Sequence, residues 1–350
     1  MTDEATPAGA TSGKDLAFST PPGLRDMLPD ELSDVTRLLT RFRLELESRH
    51  YSELHTPALE YESTIALGGL ESTQPAFPLI DAEGRRLVLR PDMTIPTARV
   101  IATRLRHLEP PFRLYYVSHV YRGTTGRIEQ PREFLQVGAE LVGLSGPDST
   151  LELLEVLVAA VDATPLVGYR IVLGDAQLLP AILHALKVPR KDRPAITHEL
   201  VTRDYVGLRN QLDRLCEQGS ISAKVQRIIV ETVSRRGGEE VFDNLDERIV
   251  AATDSLRQIY RDATPNVRSK LLIDFGLTRQ LGYYTGEVFE VHHPALGQAI
   301  GGGGRYDNLL ERFNRKLPAV GFGLQVERLH EAARADDEQR KATFLTKSVT

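Results

Sequence analysis

The stretch FRLYYVSHVYRGTTGRIEQPREFLQVGAELV, residues 112–142, predicts a β-hairpin, because two strand-like runs flank a polar loop that contains glycine. Side chains alternate along a strand, so Phe134, Gln136 and Glu140 are expected on one face. If that face is concave, these groups would line a polar pocket for a small ligand. The alternative is a polar stripe that faces solvent, and the hairpin alone does not decide between them.

Other strands and helices are predicted on both sides of this hairpin. A helix with one apolar face is expected over residues 30–50, followed by a strand over 52–56 that stops at Pro57, which cannot donate a ladder hydrogen bond. Further strands are expected over residues 86–90, 169–173, 271–275, 287–291, 298–302 and 319–324. Residues 176–262 are predicted to be mostly helical, with one helix over 243–260. Strands, then helices, then strands indicate an α+β fold with a helical insertion.

The two ends of the chain differ from its middle. Residues 1–20 are rich in Thr, Ala, Gly and Ser, which predicts a disordered tail. The globular domain is expected over 21–330. Residues 331–350 are polar and are expected to form a C-terminal tail that frays.

Composition excludes several classes of protein. Lys and Arg total 43 against 48 Asp and Glu, a net charge of −5, which argues against a protein that coats nucleic acid. No apolar run approaches the ~20 residues that span a bilayer. The N-terminus lacks the basic start and apolar core of a secretory signal. The single cysteine, Cys216, excludes an internal disulfide or a multi-cysteine metal site. We therefore expect a cytoplasmic protein without a bound metal or cofactor.

Arginine is concentrated around the hairpin. Residues 85–132 contain ten arginines, no lysine and three acids, a local net charge of +7. Guanidinium groups match the geometry of carboxylates and phosphates, so an anion site is one interpretation. A solvated basic face is the other.

Two further segments carry groups that suit an amino-acid ligand. Asp92 and Thr94 follow a predicted strand, where an acid and a hydroxyl could receive an ammonium group, although a helix N-cap is the alternative. Arg279 precedes the pair Tyr283 and Tyr284, which suits a carboxylate or a ring nitrogen. Tyrosines packed under a turn would give the same pattern.

Glycine dominates a late strand. Residues 301–304 are four glycines, which would permit very close approach of a ligand or of another backbone. A hinge is the alternative, but the Arg305-Tyr306-Asp307 sequence that follows at once argues against a floppy linker.

Taken in order, these segments resemble the core of class II aminoacyl-tRNA synthetases, and of histidyl-tRNA synthetases in particular. Residues 22–26, with the long helix and the strand ending at Pro57, resemble the family's first, dimer-forming motif. Residues 122–140 resemble the second motif and 321–329 the third, so the likeness spans about 21–330. It implies a six-stranded antiparallel sheet flanked by helices, and a homodimer.

The resemblance also implies a pocket for free histidine. Acids would hold the α-ammonium group or an imidazole nitrogen, and arginine would meet the carboxylate. The residues that match the family's histidine pocket are Asp92, Thr94, Arg122, Gln136, Glu140, Arg279, Tyr283 and Tyr284.

The nucleotide side departs from the family pattern. Thr124 stands where an acid is expected, Glu129-Gln130 replaces a Gly-Arg pair, and Gly282 replaces an aspartate. Gln325 replaces a glycine that leaves room for adenosine, whereas Arg328 is retained.

Only twenty-one residues follow Leu329, where the family carries an anticodon-binding domain of about a hundred residues, so we expect no such domain here. This combination resembles the regulatory subunits of ATP phosphoribosyltransferase. That resemblance implies a non-catalytic subunit that binds histidine and joins a short catalytic subunit in a hetero-octamer, without tRNA or membrane partners. A truncated ligase that activates histidine or another amino acid, and a synthetase with a separate anticodon module, are the alternatives.

Overall fold

The computed structural model describes residues 18–69, 76–123, 131–277 and 283–347. The tail predicted over 1–20 falls almost entirely outside these residues. In chain order the elements are α1 (Pro29–Ser48), β1 (Ser52–Glu53), β2 (Leu59–Tyr61), α2 (Glu62–Gly68), β3 (Phe77–Ile80), β4 (Arg86–Leu89), α3 (Thr94–Thr103), β5 (Phe112–Tyr121), β6 (Glu133–Val142), α4 (Pro147–Asp162), β7 (Arg170–Asp175), α5 (Leu178–Ala185), α6 (Arg193–Val201), α7 (Tyr205–Glu217), α8 (Ala223–Val233), β8 (Arg236–Gly237), α9 (Asp254–Asp262), α10 (Pro265–Lys270), β9 (Leu271–Asp274), β10 (Glu287–His292), β11 (Gly301–Arg305), β12 (Ala319–Gln325) and α11 (Val326–Lys347).

The main sheet confirms the α+β prediction. Its strand order is β1-β5-β6-β12-β11-β10-β7-β9-β8, and the six strands from β5 to β7 pair antiparallel throughout. The predicted six-stranded antiparallel sheet is therefore the centre of a larger one. Parallel strands β1 and β9 and the short strand β8 extend it at its two edges.

A second sheet, which the sequence patterns did not predict as a unit, has the order β2-β4-β3. Strand β4 ends one residue before the Arg90-Pro91-Asp92 segment, and α3 begins at Thr94. The small sheet therefore positions Asp92 and Thr94 next to the main sheet.

Helices cover one face of the main sheet, and the other face is left for the site. On the covered face, Phe42 of α1 is fully buried and meets the ring of Phe322 on β12 edge-on, with centroids 6.4 Å apart. Helices α4 and α11 join α1 in the same apolar core. Because side chains alternate, the neighbours Gly321 and Gly323 face the opposite side.

Two predicted elements differ from the structure. The helix predicted over 243–260 is wrong in its first half: α9 begins only at Asp254, after a 3-10 turn over Val250–Thr253. Asn244 has a φ of 52°, which ends any helix there. The strand predicted over 298–302 starts at Gly301 instead, since the chain before it curls toward Arg328.

The C-terminal segment is helical where a fraying tail was predicted. Helix α11 continues to Lys347. Its Asp336 carboxylate is buried, lies 3.1 Å from Nε2 of His293 and accepts the Val167 N–H at 2.8 Å. These contacts tie the helix to the domain. In the described residues, no helix is both long enough and apolar enough to span a bilayer.

Candidate functional site

The floor of the site is built from glycine. Strands β6 and β12 pair so that Gly321 lies opposite Glu140 and Gly323 opposite Gly138. A Cβ added at Gly321 would lie 1.6 Å from Oε2 of Glu140, and one at Gly323 would lie 1.9 Å from Nε2 of Gln136. Glycine is therefore required at both positions for the polar side chains of β6 to lie across β12.

Above this floor is a cavity of about 140 Å³. Six of the eight residues predicted for a histidine pocket line it: Asp92, Thr94, Arg122, Gln136, Tyr283 and Tyr284. The predicted polar face of the hairpin is thus concave and does not form a solvent-facing stripe. Arg279 lies outside the described residues.

Glu140 lies behind the cavity wall and does not line it. Its side chain has no solvent exposure. Oε1 accepts a hydrogen bond from the Thr94 hydroxyl at 3.0 Å and a longer one from Tyr116 at 3.4 Å, and Oε2 accepts one from the Tyr306 hydroxyl. Glu140 therefore orients the hydroxyl groups of Thr94, Tyr116 and Tyr306.

Asp92 faces the cavity directly. Its Oδ1 accepts the N–H of Ile95 at 3.4 Å, so the N-cap interpretation holds in part. Its Oδ2 is buried and accepts no hydrogen bond within 3.5 Å in the described part of the chain. A buried carboxylate oxygen of this kind is suited to a ligand that donates hydrogen bonds.

Burial raises the pKa of the carboxyl groups of Asp92 and Glu140. It raises the pKa of Asp92 to about 7, although the Ile95 N–H and the charge of Arg122 oppose the shift. It raises the pKa of Glu140 to about 8 against the hydrogen bonds from Tyr306 and Thr94. Near neutral pH these carboxyl groups therefore bind protons that a cationic ligand would displace.

Aromatic rings fix the cationic side of the cavity. The guanidinium of Arg122 lies 4.9 Å from the ring centroid of Phe134, within cation–π distance. Tyr283 packs against Tyr284 and edge-on against Tyr306, with centroids 5.0 and 5.8 Å apart. The two tyrosines thus pack against each other and line the cavity.

Two residues of the site were missed by the sequence analysis: Tyr116 and Tyr306, both buried and both bonded to Glu140. Tyr306 directly follows the glycine run and Arg305, and that position beside a segment expected near a ligand could have identified it. Tyr116 gave none, because its partner on β6, Gly138, is identified only by the strand register.

On the side that the family resemblance assigns to a nucleotide, Arg328 is hydrogen-bonded within the chain. Arg328 donates from Nη1 to the carbonyl of Ala299 at 2.6 Å and from Nη2 to Oε1 of Gln298. Gln325 lies in the wall shared by the small cavity and a neighbouring one of about 1020 Å³. The substitutions at Thr124, Glu129-Gln130 and Gly282 lie outside the described residues.

Among the residues described, no group of three or more acidic, histidine or cysteine side chains is arranged to hold a metal ion. The side chains that line the cavity supply one carboxyl group, several hydroxyls, amides and guanidinium groups.

Comparison with known proteins agrees with this geometry. The family model for histidyl-tRNA synthetase matches residues 23–329. A protein named ATP phosphoribosyltransferase regulatory subunit from Symbiobacterium thermophilum is 35% identical over 88% of this chain and 78% of its own length. One from Desulforamulus reducens is 32% identical over 88% and 77%.

Solved structures show the same fold. A Bacillus halodurans protein described as an ATP phosphoribosyltransferase regulatory subunit/histidyl-tRNA synthetase gives a TM-score of 0.83 at 30% identity, covering 90% of this chain and 83% of its own. A Nostoc histidyl-tRNA synthetase gives 0.73 at 25% identity, covering 89% and 74%.

We predict that the buried Glu140 makes stability fall with rising pH. Its folded pKa lies above its unfolded value, so the folded state binds the extra proton and is most favoured below pH ~4. Stability should then decline as pH rises toward about 8. Relative to Glu140→Gln, wild type should lose on the order of 1–3 kcal/mol more across that window.

Scanning calorimetry at a series of pH values measures this difference. Glu109→Gln, which removes an exposed carboxylate, is the matched control and should follow wild type. Parallel curves for wild type and Glu140→Gln would show that Glu140 does not carry the proton.

Proposed function

Because this chain belongs to the histidyl-tRNA synthetase family and, within it, to the ATP phosphoribosyltransferase regulatory subunits, we propose that it binds free histidine and regulates a catalytic partner. The partner is the short catalytic subunit, which performs the first step of L-histidine biosynthesis. The chain itself contributes regulation and no catalysis, and the complex acts in the cytoplasm.

The observation that carries this proposal is the intact amino-acid side of the site. The Asp92 carboxyl and the Thr94 hydroxyl suit an α-ammonium group, and Arg122 suits an α-carboxylate. The remaining polar groups of the cavity, those of Tyr283, Tyr284 and Gln136, would then contact the imidazole ring of histidine. The cavity of about 140 Å³ is sized for an amino acid, well below the ~300–1,000 Å³ of larger ligand sites.

The contacts of Arg328 and the position of Gln325 support the proposal that this chain does not carry out the synthetase reaction. Arg328 is already satisfied by Gln298 and Ala299, so binding a phosphate would first require breaking both contacts. Gln325 occupies space beside it that the family's glycine would leave open.

A protein that binds an end product without transforming it must act on another protein. Histidine can regulate the catalytic subunit only if it binds the active and inhibited assemblies unequally. A coupling of ~1–3 kcal/mol, roughly 5–150-fold in affinity, is ordinary for such a relay. We propose that the relay operates in a hetero-octamer, with no tRNA and no membrane partner.

Within that assembly we propose a homodimer of this chain, formed by the first-motif segment, residues 22–57, together with the small sheet that follows it. Its outer face is apolar across all three strands: Leu59, Tyr61, Phe77, Leu79, Leu87 and Leu89. Leu59 and Tyr61 are 43% and 46% exposed, although they belong to paired strands. A contiguous exposed apolar patch favours a protein interface.

The rival function is a ligase that activates an amino acid with ATP. The retained Arg328 and the likeness to the Nostoc synthetase favour it. Histidine-dependent ATP–pyrophosphate exchange separates the two functions, and a rate above the no-enzyme blank would support the ligase.

The first prediction concerns histidine itself. At pH 8, where Asp92 is mostly ionised, Asp92→Asn should weaken histidine binding about ten- to a hundredfold, since a hydrogen bond to a charged group contributes roughly 1.5–3 kcal/mol. Titration calorimetry measures it, with Glu109→Gln as the control. Equal affinities for wild type and Asp92→Asn, or no histidine heat from wild type alone or with its catalytic partner, would contradict the site.

The second prediction concerns regulation. Phosphoribosyl-ATP formation by the catalytic subunit should respond to histidine when wild-type chain is present. Asp92→Asn and Arg279→Ala should assemble normally but blunt the inhibition, because we propose that both residues contact histidine and that neither contacts the partner. If this chain changes neither turnover nor histidine sensitivity, the regulatory function is wrong.

The third prediction concerns the homodimer. Leu79→Asp should convert the isolated dimer to monomer, because it buries a charge in the apolar face of the small sheet. Val206→Asp, at a 72% exposed position on α7, is the control and should stay dimeric. Sedimentation equilibrium distinguishes the outcomes, and a dimer that survives Leu79→Asp would exclude this interface.

A further inference from the structure

A second cavity lies in the groove between α1 and α11, on the helix-covered side of the sheet and away from the amino-acid pocket. Its volume is about 240 Å³. Its lining residues are Asp34, Arg37, Leu38, Arg41, Pro165, His330, Ala333, Arg334, Asp337 and Arg340. None of these residues lines the amino-acid pocket, although His330 and Arg334 also line the cavity of about 1020 Å³ beside it.

His330 provides a buried polar group without a partner. The residue is 7% exposed. Its Nε2 atom is buried and makes no hydrogen bond, and the nearest ionic group is Oδ2 of Asp34 at 3.6 Å. Buried polar atoms in folded proteins are nearly always bonded to protein or to a bound molecule. His330 and Asp34 both line the cavity.

The charge around this imidazole is positive. Four arginines and two aspartates line the cavity, an excess of two positive charges. Just outside it, Glu338 and Lys341 bind Arg334 and Asp337 respectively and cancel each other. The cavity therefore keeps its positive excess when its immediate neighbours are included.

The arginines are also available. Arg41 is exposed and makes no ion pair or hydrogen bond within the described residues, whereas Arg37 is paired with Asp34. Arg334 pairs with Glu338 at 3.5 Å and Arg340 with Asp337 at 4.0 Å, and all four side chains are at least half exposed. Exposed pairs of this kind contribute little to stability, so these arginines can turn to a ligand at small cost.

We propose that this groove is a binding site for a small phosphate-type oxyanion, held by Arg41 and its neighbouring arginines and by the imidazole of His330. Guanidinium forks match the oxygens of a phosphate in pairs, and a histidine N–H can complete the set. The apolar floor of Leu38 and Ala333 leaves room for a small organic group, so the ligand is either inorganic phosphate or a phosphate ester.

Titration calorimetry on the full chain tests the site, at constant ionic strength with chloride as the balancing anion. Inorganic phosphate and glycerol 3-phosphate are the two probes, and the one that binds more tightly distinguishes free phosphate from a phosphate ester. Wild type should bind at least one of them saturably. Arg41→Gln should weaken that binding about tenfold or more, as expected for loss of a charged hydrogen bond.

Two further variants complete the test. Arg106→Gln removes the same charge from an exposed arginine outside the groove, and it should bind like wild type. His330→Gln should weaken binding as Arg41→Gln does, and if it fails to fold, Arg41→Gln alone decides. The proposal is overturned if wild type binds neither probe, if Arg41→Gln binds equally well, or if Arg106→Gln is weakened to the same extent. Equal binding by Arg41→Gln would assign the anion to arginines elsewhere, such as Arg122 and Arg328.

Discussion

The buried carboxyl group of Glu140 is the point on which the site depends. It has no contact with solvent, and it is bonded to hydroxyl groups from three separate parts of the chain: Thr94 at the start of α3, Tyr116 on β5 and Tyr306 after β11. The space that it occupies exists only because residue 321 on β12 has no side chain. An unpaired carboxylate at such depth would be costly, so these contacts hold the surrounding elements in one arrangement.

A second buried network supports the same wall from below. Arg305, the residue before Tyr306, donates to Glu287 on β10 at 2.9 Å and to the hydroxyls of Ser149 and Thr150 on α4 at 2.7 Å each. Glu287 in turn accepts a hydrogen bond from Ser255 on α9. A chain of hydrogen bonds through Arg305 and Glu287 thus connects the wall of the pocket to Ser255 in the helical insertion.

The amino-acid side of the site and the side that the family resemblance assigns to a nucleotide differ in the contacts of their polar groups. On the amino-acid side, acids, hydroxyls and tyrosines converge on a small cavity, and two raised pKa values leave it ready to exchange protons for a cation. On the nucleotide side, Arg328 is bonded to Gln298 and Ala299, and Gln325 projects where a glycine would leave space. Recognition without chemistry is the physical basis for a regulatory role.

The sequence by itself determined the α+β class and the antiparallel strands, because period-two runs and glycine or proline stops are local properties, and the family resemblance supplied the predicted pocket residues. It placed Asp92, Thr94 and Gln136 correctly, since each lies in or beside a strongly patterned strand. Only the tertiary structure decided that Glu140 lies behind the wall, that Tyr116 joins it, and that α11 continues past residue 330. Those outcomes depend on strand register and on contacts between distant segments, such as Asp336 with His293, which no local pattern encodes.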